Sequence, residues 1–186
     1  MPTTLTLLGI SGSLRRHSHN TVLLRACQEL APADVEVVIR RLHDVPLYDR
    51  DLEEHGFPAP VRELREAIGA ADGLLLATPE YNRSVSGVLK NAIDWVSRGK
   101  DSPLEDRPTA VLSAAGRGGG RRAQAHLTEI LEHKRVDLLA PTVCIPRAWE
   151  HIDDGRLVTE TYRREVAALL TACRARILEQ RAETTG

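Results

Sequence analysis

Three polar turns with many hydrogen-bond donors are the places in this sequence where chemistry could occur. They span residues 9–21, 78–83 and 113–122. Each follows a short apolar segment and precedes a segment whose apolar residues recur at helical spacing, so each is predicted to join a strand to a helix. The first N–H groups of a helix have no partner within the helix and attract anions. Such turns could therefore bind a polar or anionic small molecule.

The first turn predicts a site for a monophosphate. Gly9 and Gly12 let the backbone approach a ligand closely, and Arg15 supplies a planar guanidinium suited to phosphate oxygens. The turn lacks the Gly-Lys-Ser ending of a triphosphate-binding loop and the GxGxxG spacing of a dinucleotide fold. Taken alone, a serine-rich turn is also an ordinary helix cap. Its hydroxyl and amide groups are those of Ser11, Ser13, Ser18, Asn20 and Thr21.

The second turn is suited to a flat ligand that accepts and donates hydrogen bonds, such as a flavin ring. Pro79 ends the preceding strand, and Glu80, Tyr81 and Asn82 then bring a carboxylate, an aromatic ring and an amide. The backbone groups of this turn have no partners in a sheet and can bond to a ligand edge. The alternative is an ordinary turn in which Ser84 caps the following helix.

The third turn contains four glycines between residues 116 and 120. A segment of this composition does not pack as a regular element, and its free N–H groups can form an anion-binding concavity. A flexible loop is the alternative interpretation.

Strand-like and helix-like segments alternate along the whole chain. Strands are predicted at 5–10, 35–39, 73–78, 109–112 and 138–145, the last of them broken by Pro141, and the final helix at about 159–181. Strands that are apolar along their whole length are typical of a parallel sheet covered by helices on both faces. The pattern predicts an α/β, flavodoxin-like, doubly wound sheet of five parallel strands in the order 2-1-3-4-5, forming a single domain over residues 1–186. In that order strands one, three and four are neighbours, so the three turns converge.

Composition excludes several classes of function. The formal net charge is −1 without a basic tail, which argues against nucleic acid as a partner. No apolar segment approaches the roughly 18 residues of a membrane span, and the start lacks the pattern of a signal peptide, so a cytoplasmic protein is expected. Cys27, Cys144 and Cys173 are far apart, and His126 and His133 lack an HExxH pattern, so we expect neither a disulfide framework nor a metal site.

Four ordered motifs closely resemble the NAD(P)H-dependent FMN reductase family, which includes flavodoxin-fold quinone, chromate and azo-dye reductases. They are GISGSLR at 9–15 with Ser18 and Asn20, PEYN at 79–82, GVLKNAIDW at 87–95 and GGRRAQ at 119–124. The similarity covers nearly the whole chain, including residues 47–52.

The resemblance implies an FMN-dependent oxidoreductase. NADPH or NADH would give a hydride to FMN in a ping-pong cycle, and a flavin, quinone, azo compound or metal oxyanion would then accept two electrons. FMN carries this chemistry, so no catalytic side chain and no metal are expected. The implied cofactor-binding residues are Ser11, Ser13, Leu14, Arg15, Ser18, Asn20 and Thr21 at the phosphate, Pro79, Glu80, Tyr81, Asn82 and Arg83 at the ring, and Ser113, Gly116 and Gly119 at its pyrimidine edge.

Three residues depart from the family pattern. Ala114 falls where serine is common, Arg83 replaces an aromatic, small or histidine residue, and Ser86 replaces a proline. Arg83 or Arg117 is expected to help hold an anionic nicotinamide cofactor or acceptor.

The resemblance also implies a homodimer or homotetramer, with the helix bearing Trp95 and the loop bearing Tyr48 as candidate contacts. The alternative function is a flavodoxin-type FMN-binding electron carrier without its own substrate. Such carriers tend to be strongly acidic, whereas this chain is nearly neutral.

Overall fold

The computed structural model describes residues 4–140 and 142–185. The elements in chain order are β1 (Leu5–Ser11), α1 (His19–Leu30), β2 (Val35–Arg40), α2 (Arg50–Glu54), α3 (Ala59–Ala70), β3 (Gly73–Ala77), β4 (Glu80–Tyr81), β5 (Ser84–Val85), α4 (Gly87–Val96), β6 (Pro108–Ala114), α5 (Arg121–His133), β7 (Asp137–Leu138), β8 (Val143–Ile145), a 3₁₀-helix (Ala148–Glu150), β9 (Ile152–Asp153), β10 (Arg156–Leu157) and α6 (Glu160–Thr185).

The main sheet is parallel and has the strand order β2-β1-β3-β6, with β7 and β8 both pairing with the far side of β6. The predicted order 2-1-3-4-5 and the flavodoxin-like α/β fold are therefore confirmed, with the fifth strand in two short pieces. Pro141, which was expected to break that strand, lies outside the described residues.

Helices cover both faces of the sheet. Side chains alternate between faces along a strand, so Leu5 and Leu7 of β1 lie in one core while Leu8 and Ile10 lie in the other. The first core is closed by α1 and α6 and the second by α3, α4 and α5. The wholly apolar strands thus have the two covered faces that their composition predicts.

Cys27 and Cys173 lie in the first core as free thiols. Burial raises the pKa of both, to about 12 for Cys173. Cys144 is a free thiol as well but is only half-buried. Among the described residues, no helix is both long and apolar enough to cross a membrane.

A short hairpin precedes α4. The helical spacing of Val85, Val88 and Leu89 predicts a helix that includes residue 85, but Val85 lies in β5, which pairs with the two residues of β4 in this hairpin. Asn82 and Arg83 at its tip both have positive φ, 49° and 65°, as the right-handed twist of a tight hairpin requires. Ser86, not Ser84, caps α4: its hydroxyl accepts a hydrogen bond from the Leu89 N–H at 3.3 Å.

The long connection after β2 packs against α4 of the same chain. The Trp95 indole N–H donates to the Pro46 carbonyl at 2.9 Å, and the Tyr48 ring meets Trp95 edge-on with centroids 4.9 Å apart. Trp95 is fully buried by this packing. Trp95 is therefore a core residue within one chain, and a subunit contact through α4 stays a prediction.

Candidate active site

The three predicted turns meet at one pocket of about 250 Å³ at the carboxyl ends of β1, β3 and β6. This is the edge at which open α/β sheets bind ligands. The pocket is lined by Ser13, Arg15, Ser18, His19, Asn20, Pro79, Glu80, Tyr81, Ala114, Ala115, Gly116 and Trp149. Eight predicted site residues are in this set, and Ser11, Leu14, Thr21, Asn82, Arg83, Ser113 and Gly119 are not.

The first loop presents hydrogen-bond donors at the start of α1. Ser18 caps the helix by accepting from the Thr21 N–H at 3.3 Å, and the other N–H groups of a first turn are available to an external acceptor. The Arg15 guanidinium folds back and donates to the His17 carbonyl from Nε at 3.1 Å and Nη2 at 2.6 Å. A guanidinium has five N–H donors, so three remain for a ligand.

Ser11 and Thr21 hold the first loop together from within. Both are buried; the Thr21 hydroxyl donates to Ser11 Oγ at 3.1 Å, and Ser11 Oγ also accepts from the Ser13 N–H at 3.4 Å. Leu14 is partly exposed outside the pocket, where its carbonyl bonds to His43. These three predicted ligand residues shape the loop instead of lining its pocket.

Asn20 joins the first loop to the third. Its amide donates to the Ala114 carbonyl and accepts from the Ala114 N–H, both at 3.0 Å, and it is buried. One donor and one acceptor of the side chain are thus bound to the end of β6. A polar residue predicted to bind phosphate mainly fixes the distance between two walls of the pocket.

Ser86 joins the first loop to the second. Its buried hydroxyl donates to the Gly12 carbonyl at 2.6 Å while capping α4. A Cβ at Gly12 would lie 2.8 Å from Ser86 Oγ and 3.0 Å from Leu89 Cβ, which is too close for any residue but glycine. The unusual serine at this position therefore locks the first loop onto the start of α4.

Part of the second loop lines the pocket, and the rest lies on the surface outside it. Pro79 and Glu80 line the pocket, and a Glu80 carboxylate oxygen accepts from the Arg122 N–H at the start of α5 at 3.2 Å. A carboxylate is favoured there by the positive end of the helix dipole. Tyr81 lines the pocket with its ring largely exposed, whereas the hairpin turn carries Asn82 and Arg83 beyond it.

The glycines of the third loop allow a close backbone packing. Gly119 and Gly120 have φ of 66° and 93°, and a Cβ at Gly120 would lie 2.6 Å from Ser113 Oγ. Ser113 is fully buried: its hydroxyl donates to the Gly119 carbonyl at 2.6 Å and accepts from the Gln124 amide at 2.7 Å. Ser113 and Gly119 therefore support the loop, and Gly116 is the predicted member that lines the pocket.

Four lining residues were not predicted from the sequence: His19, Ala114, Ala115 and Trp149. Ala114 had been noted only as a departure, and Ala115 has no distinctive side chain. Trp149 follows a strand in a short 3₁₀-helix without periodicity, so no pattern marked it. Partial burial, with the nearby Arg15 charge, lowers the pKa of His19, which favours its neutral form.

His126 and His133 line a different groove, of about 780 Å³, between α4 and α5. His126 bonds to the Ser84 hydroxyl at 3.0 Å, and Lys90 and Asp94 beside them form an i,i+4 ion pair at 2.6 Å. Within residues 4–140 and 142–185 no group of three His, Cys, Asp or Glu side chains could hold a metal ion.

Comparisons with known proteins decide the family. The family model for NADPH-dependent FMN reductase matches residues 5–150. The chain belongs to this family. It is 44% identical over 169 residues to NAD(P)H-dependent FMN reductase PA1204 of Pseudomonas aeruginosa, covering 89% of this chain and 91% of that protein. It is 48% identical over 130 residues to a quinone reductase of Escherichia coli, covering 68% and 69%.

The solved structure of FerB, a flavoenzyme NAD(P)H:(acceptor) oxidoreductase from Paracoccus denitrificans, has the same fold. It superposes with a TM-score of 0.81 at 32% identity, covering 94% of this chain and 98% of FerB. As a member of the FMN reductase family, the chain is an oxidoreductase whose cofactor is FMN and whose electron donor is NAD(P)H.

The residues present fit FMN. One end of the pocket carries the Ser13 and Ser18 hydroxyls and the Arg15 guanidinium at a helix start, which is a donor set for a phosphate. The other end carries Pro79, Tyr81 and Trp149 with the alanines of β6, which is an apolar and aromatic surface for a ring.

Proposed function

We propose that the protein reduces small molecules of the quinone class with electrons from NADPH or NADH, by way of bound FMN. The two-ended pocket carries this proposal, because a phosphate site and an aromatic surface at one sheet edge match the two ends of FMN. The relatives named NAD(P)H-dependent FMN reductase and quinone reductase support it. When bound, FMN supplies the redox chemistry by taking a hydride from the nicotinamide and passing two electrons to the acceptor.

The protein's own residues would bind and orient in this reaction. Ser13, Ser18 and Arg15 would hold the phosphate, and Pro79 with Tyr81 would lie along the ring. Backbone N–H groups near Gly116 would face the edge of the ring on which charge develops, where donors stabilise the reduced form. Hydride transfer from the nicotinamide needs no acid or base, and the one further proton that completes the hydroquinone would come from solvent, so no catalytic acid or base is assigned.

The donor and acceptor are proposed to occupy the same space in turn, in a ping-pong cycle. The pocket is slightly smaller than the roughly 300–1,000 Å³ of most cofactor sites. A pocket of this size would not enclose a whole flavin, so space beside the cofactor would remain for a second flat molecule. A quinone and a nicotinamide are both flat rings of suitable size.

Purification, a visible spectrum and anaerobic titration test this function. We expect a flavin spectrum that one equivalent of NADPH or NADH bleaches and one equivalent of a benzoquinone restores. Initial rates against both substrates should give parallel double-reciprocal lines, which indicate ping-pong kinetics. Failure to bind FMN would refute the function. If NADPH and NADH did not reduce the bound FMN, and only a one-electron donor protein did, the electron-carrier alternative would be favoured.

Self-association as a homodimer or homotetramer stays a prediction. The loop bearing Tyr48 is pinned to α4 of its own chain, and Leu47 at its surface is 82% exposed. Sedimentation of the FMN-loaded protein tests the prediction, and a monomer with full activity would contradict it.

A further inference from the structure

Two of the few aromatic residues in this chain are exposed, and both line the same pocket. The sequence has two tryptophans, three tyrosines and one phenylalanine. Tyr48, Phe57 and Trp95 pack on one another, and Tyr162 packs on His151. Tyr81 and Trp149 are instead 53% and 56% exposed. Only Tyr81 was expected at the pocket, so the exposed Trp149 indole is the unexplained feature.

The backbone holds Trp149 firmly in place. The Arg147 N–H donates to the Gly116 carbonyl at 2.8 Å and the Ala148 N–H to the Ala115 carbonyl at 3.0 Å. Ala148 is fully buried, and the left-handed backbone of Arg147, with φ of 43°, starts the 3₁₀-helix. The backbone segment that carries the indole is therefore bonded directly to the third loop of the pocket.

The Trp149 side chain is more than half exposed. Within the part of the chain that the structure describes, the Trp149 indole makes no hydrogen bond and no ring contact. An exposed aromatic side chain on a rigid segment costs free energy in water, and it gains free energy when a flat ligand covers it. It lines the same pocket as Tyr81 and Ala115, which sets it against the body of a ligand bound there.

We propose that Trp149 is the outer wall of the FMN pocket, covering the bound cofactor so that FMN is retained through the catalytic cycle instead of exchanging with free flavin. This inference rests on the proposed function. It adds a residue of this chain to the cofactor site and assigns FMN as a prosthetic group.

Equilibrium binding of FMN to the apoprotein tests the proposal without reference to activity. We expect Trp149→Ala to raise the Kd for FMN about tenfold or more, the effect of losing an aromatic contact and its buried area. Trp149→Phe keeps a ring and should stay within about threefold of the wild type. Leu47→Ala, which removes an even more exposed apolar side chain away from the pocket, should leave the Kd unchanged.

Three outcomes would overturn the proposal. One is an unchanged Kd in Trp149→Ala. Another is an unchanged Kd with a raised KM for the quinone, which would place the indole at the acceptor. A third is an unchanged Kd with a lower sedimentation coefficient, which would make it a subunit contact. If Trp149→Ala does not fold, Trp149→Leu replaces it. Failure of the proposed function is distinguishable, because the wild-type protein itself would then bind no FMN.

Discussion

Asn20 shows how a single buried side chain can set the geometry of the site. Its amide makes two 3.0 Å hydrogen bonds with the backbone of Ala114, 94 positions along the chain. These bonds hold the phosphate end of the pocket against its glycine-rich wall. Their loss would leave a buried N–H and a buried carbonyl unpaired, each at a cost of about 1–3 kcal/mol.

We predict that Asn20→Ala lowers the free energy of unfolding by roughly 2–4 kcal/mol and raises the Kd for FMN roughly tenfold. Urea unfolding and FMN titration measure the two effects. Asn91→Ala is the matched control, because Asn91 makes an equivalent pair of bonds with Pro46 and Tyr48 away from the pocket. It should lower stability but leave FMN binding intact. Equal Kd values for both variants would show that the Asn20 bonds do not position the site.

At the scale of elements, the sequence predicts those strands and turns that a local pattern of residues specifies. The wholly apolar segments that became β1, β3 and β6 identify the sheet, and the turns after them identify its functional edge. The fifth strand is harder to predict, because only short pieces pair with β6.

The missed features are a local hairpin with an unusual turn sequence and contacts between distant residues. The β4–β5 hairpin has Asn-Arg at its turn instead of the Asn-Gly that usually marks one. The bond between Ser86 and the Gly12 carbonyl joins residues 74 positions apart, and no local pattern reveals it. For the same reason, serines that hold the loops together cannot be told from serines that face the ligand.

The hairpin turn gives a prediction about Arg83. Its φ of 65° is a strained conformation for any residue with a side chain, at a cost of roughly 1 kcal/mol. Such strain at the edge of a site is retained where the side chain has a function. We therefore predict that Arg83→Gly keeps or raises the melting temperature while it raises the KM for NADPH about tenfold, the effect of one lost charged hydrogen bond.

Arg135→Gly is the control. Arg135 is also an exposed arginine with positive φ, 56°, but it lies just beyond the C-terminal end of α5, away from the pocket. It should relieve similar strain without changing the KM. Steady-state kinetics and thermal melting check both variants. A KM for NADPH that stays at the wild-type value in Arg83→Gly would refute the role of Arg83.

Over the whole molecule, the ligand pocket and the ion pairs that hold α6 lie at opposite edges of the sheet. The pocket lies at the carboxyl ends of the strands, whereas three arginines of α6 pair with aspartates near the amino ends of β2, β3 and β7. The pairs are Arg174–Asp34 at 2.7 Å, Arg181–Asp72 at 2.6 Å and Arg176–Asp137 at 2.7 Å. The long final helix is thus fastened across the sheet without using the edge that binds the ligand.

This arrangement predicts how stability depends on pH. Hydrogen bonds from Arg174 hold the pKa of Asp34 below its ordinary 3.8, and those from Arg156 do the same for Glu29. As pH falls through the ordinary values, the unfolded chain takes up protons before the folded protein does, so stability falls. The melting temperature should therefore be steady above about pH 5 and decline below about pH 4.

Asp34→Asn isolates the contribution of one pair to this profile. The variant cannot titrate at residue 34, so its melting temperature should be lower than that of the wild type near neutral pH, and the difference should shrink as the pH falls below 4. Asp44→Asn changes an exposed acid that makes no ion pair within the described residues and should leave the profile unchanged. A constant difference between Asp34→Asn and wild type at every pH would mean that the bond to Arg174 is not the source of the acid sensitivity.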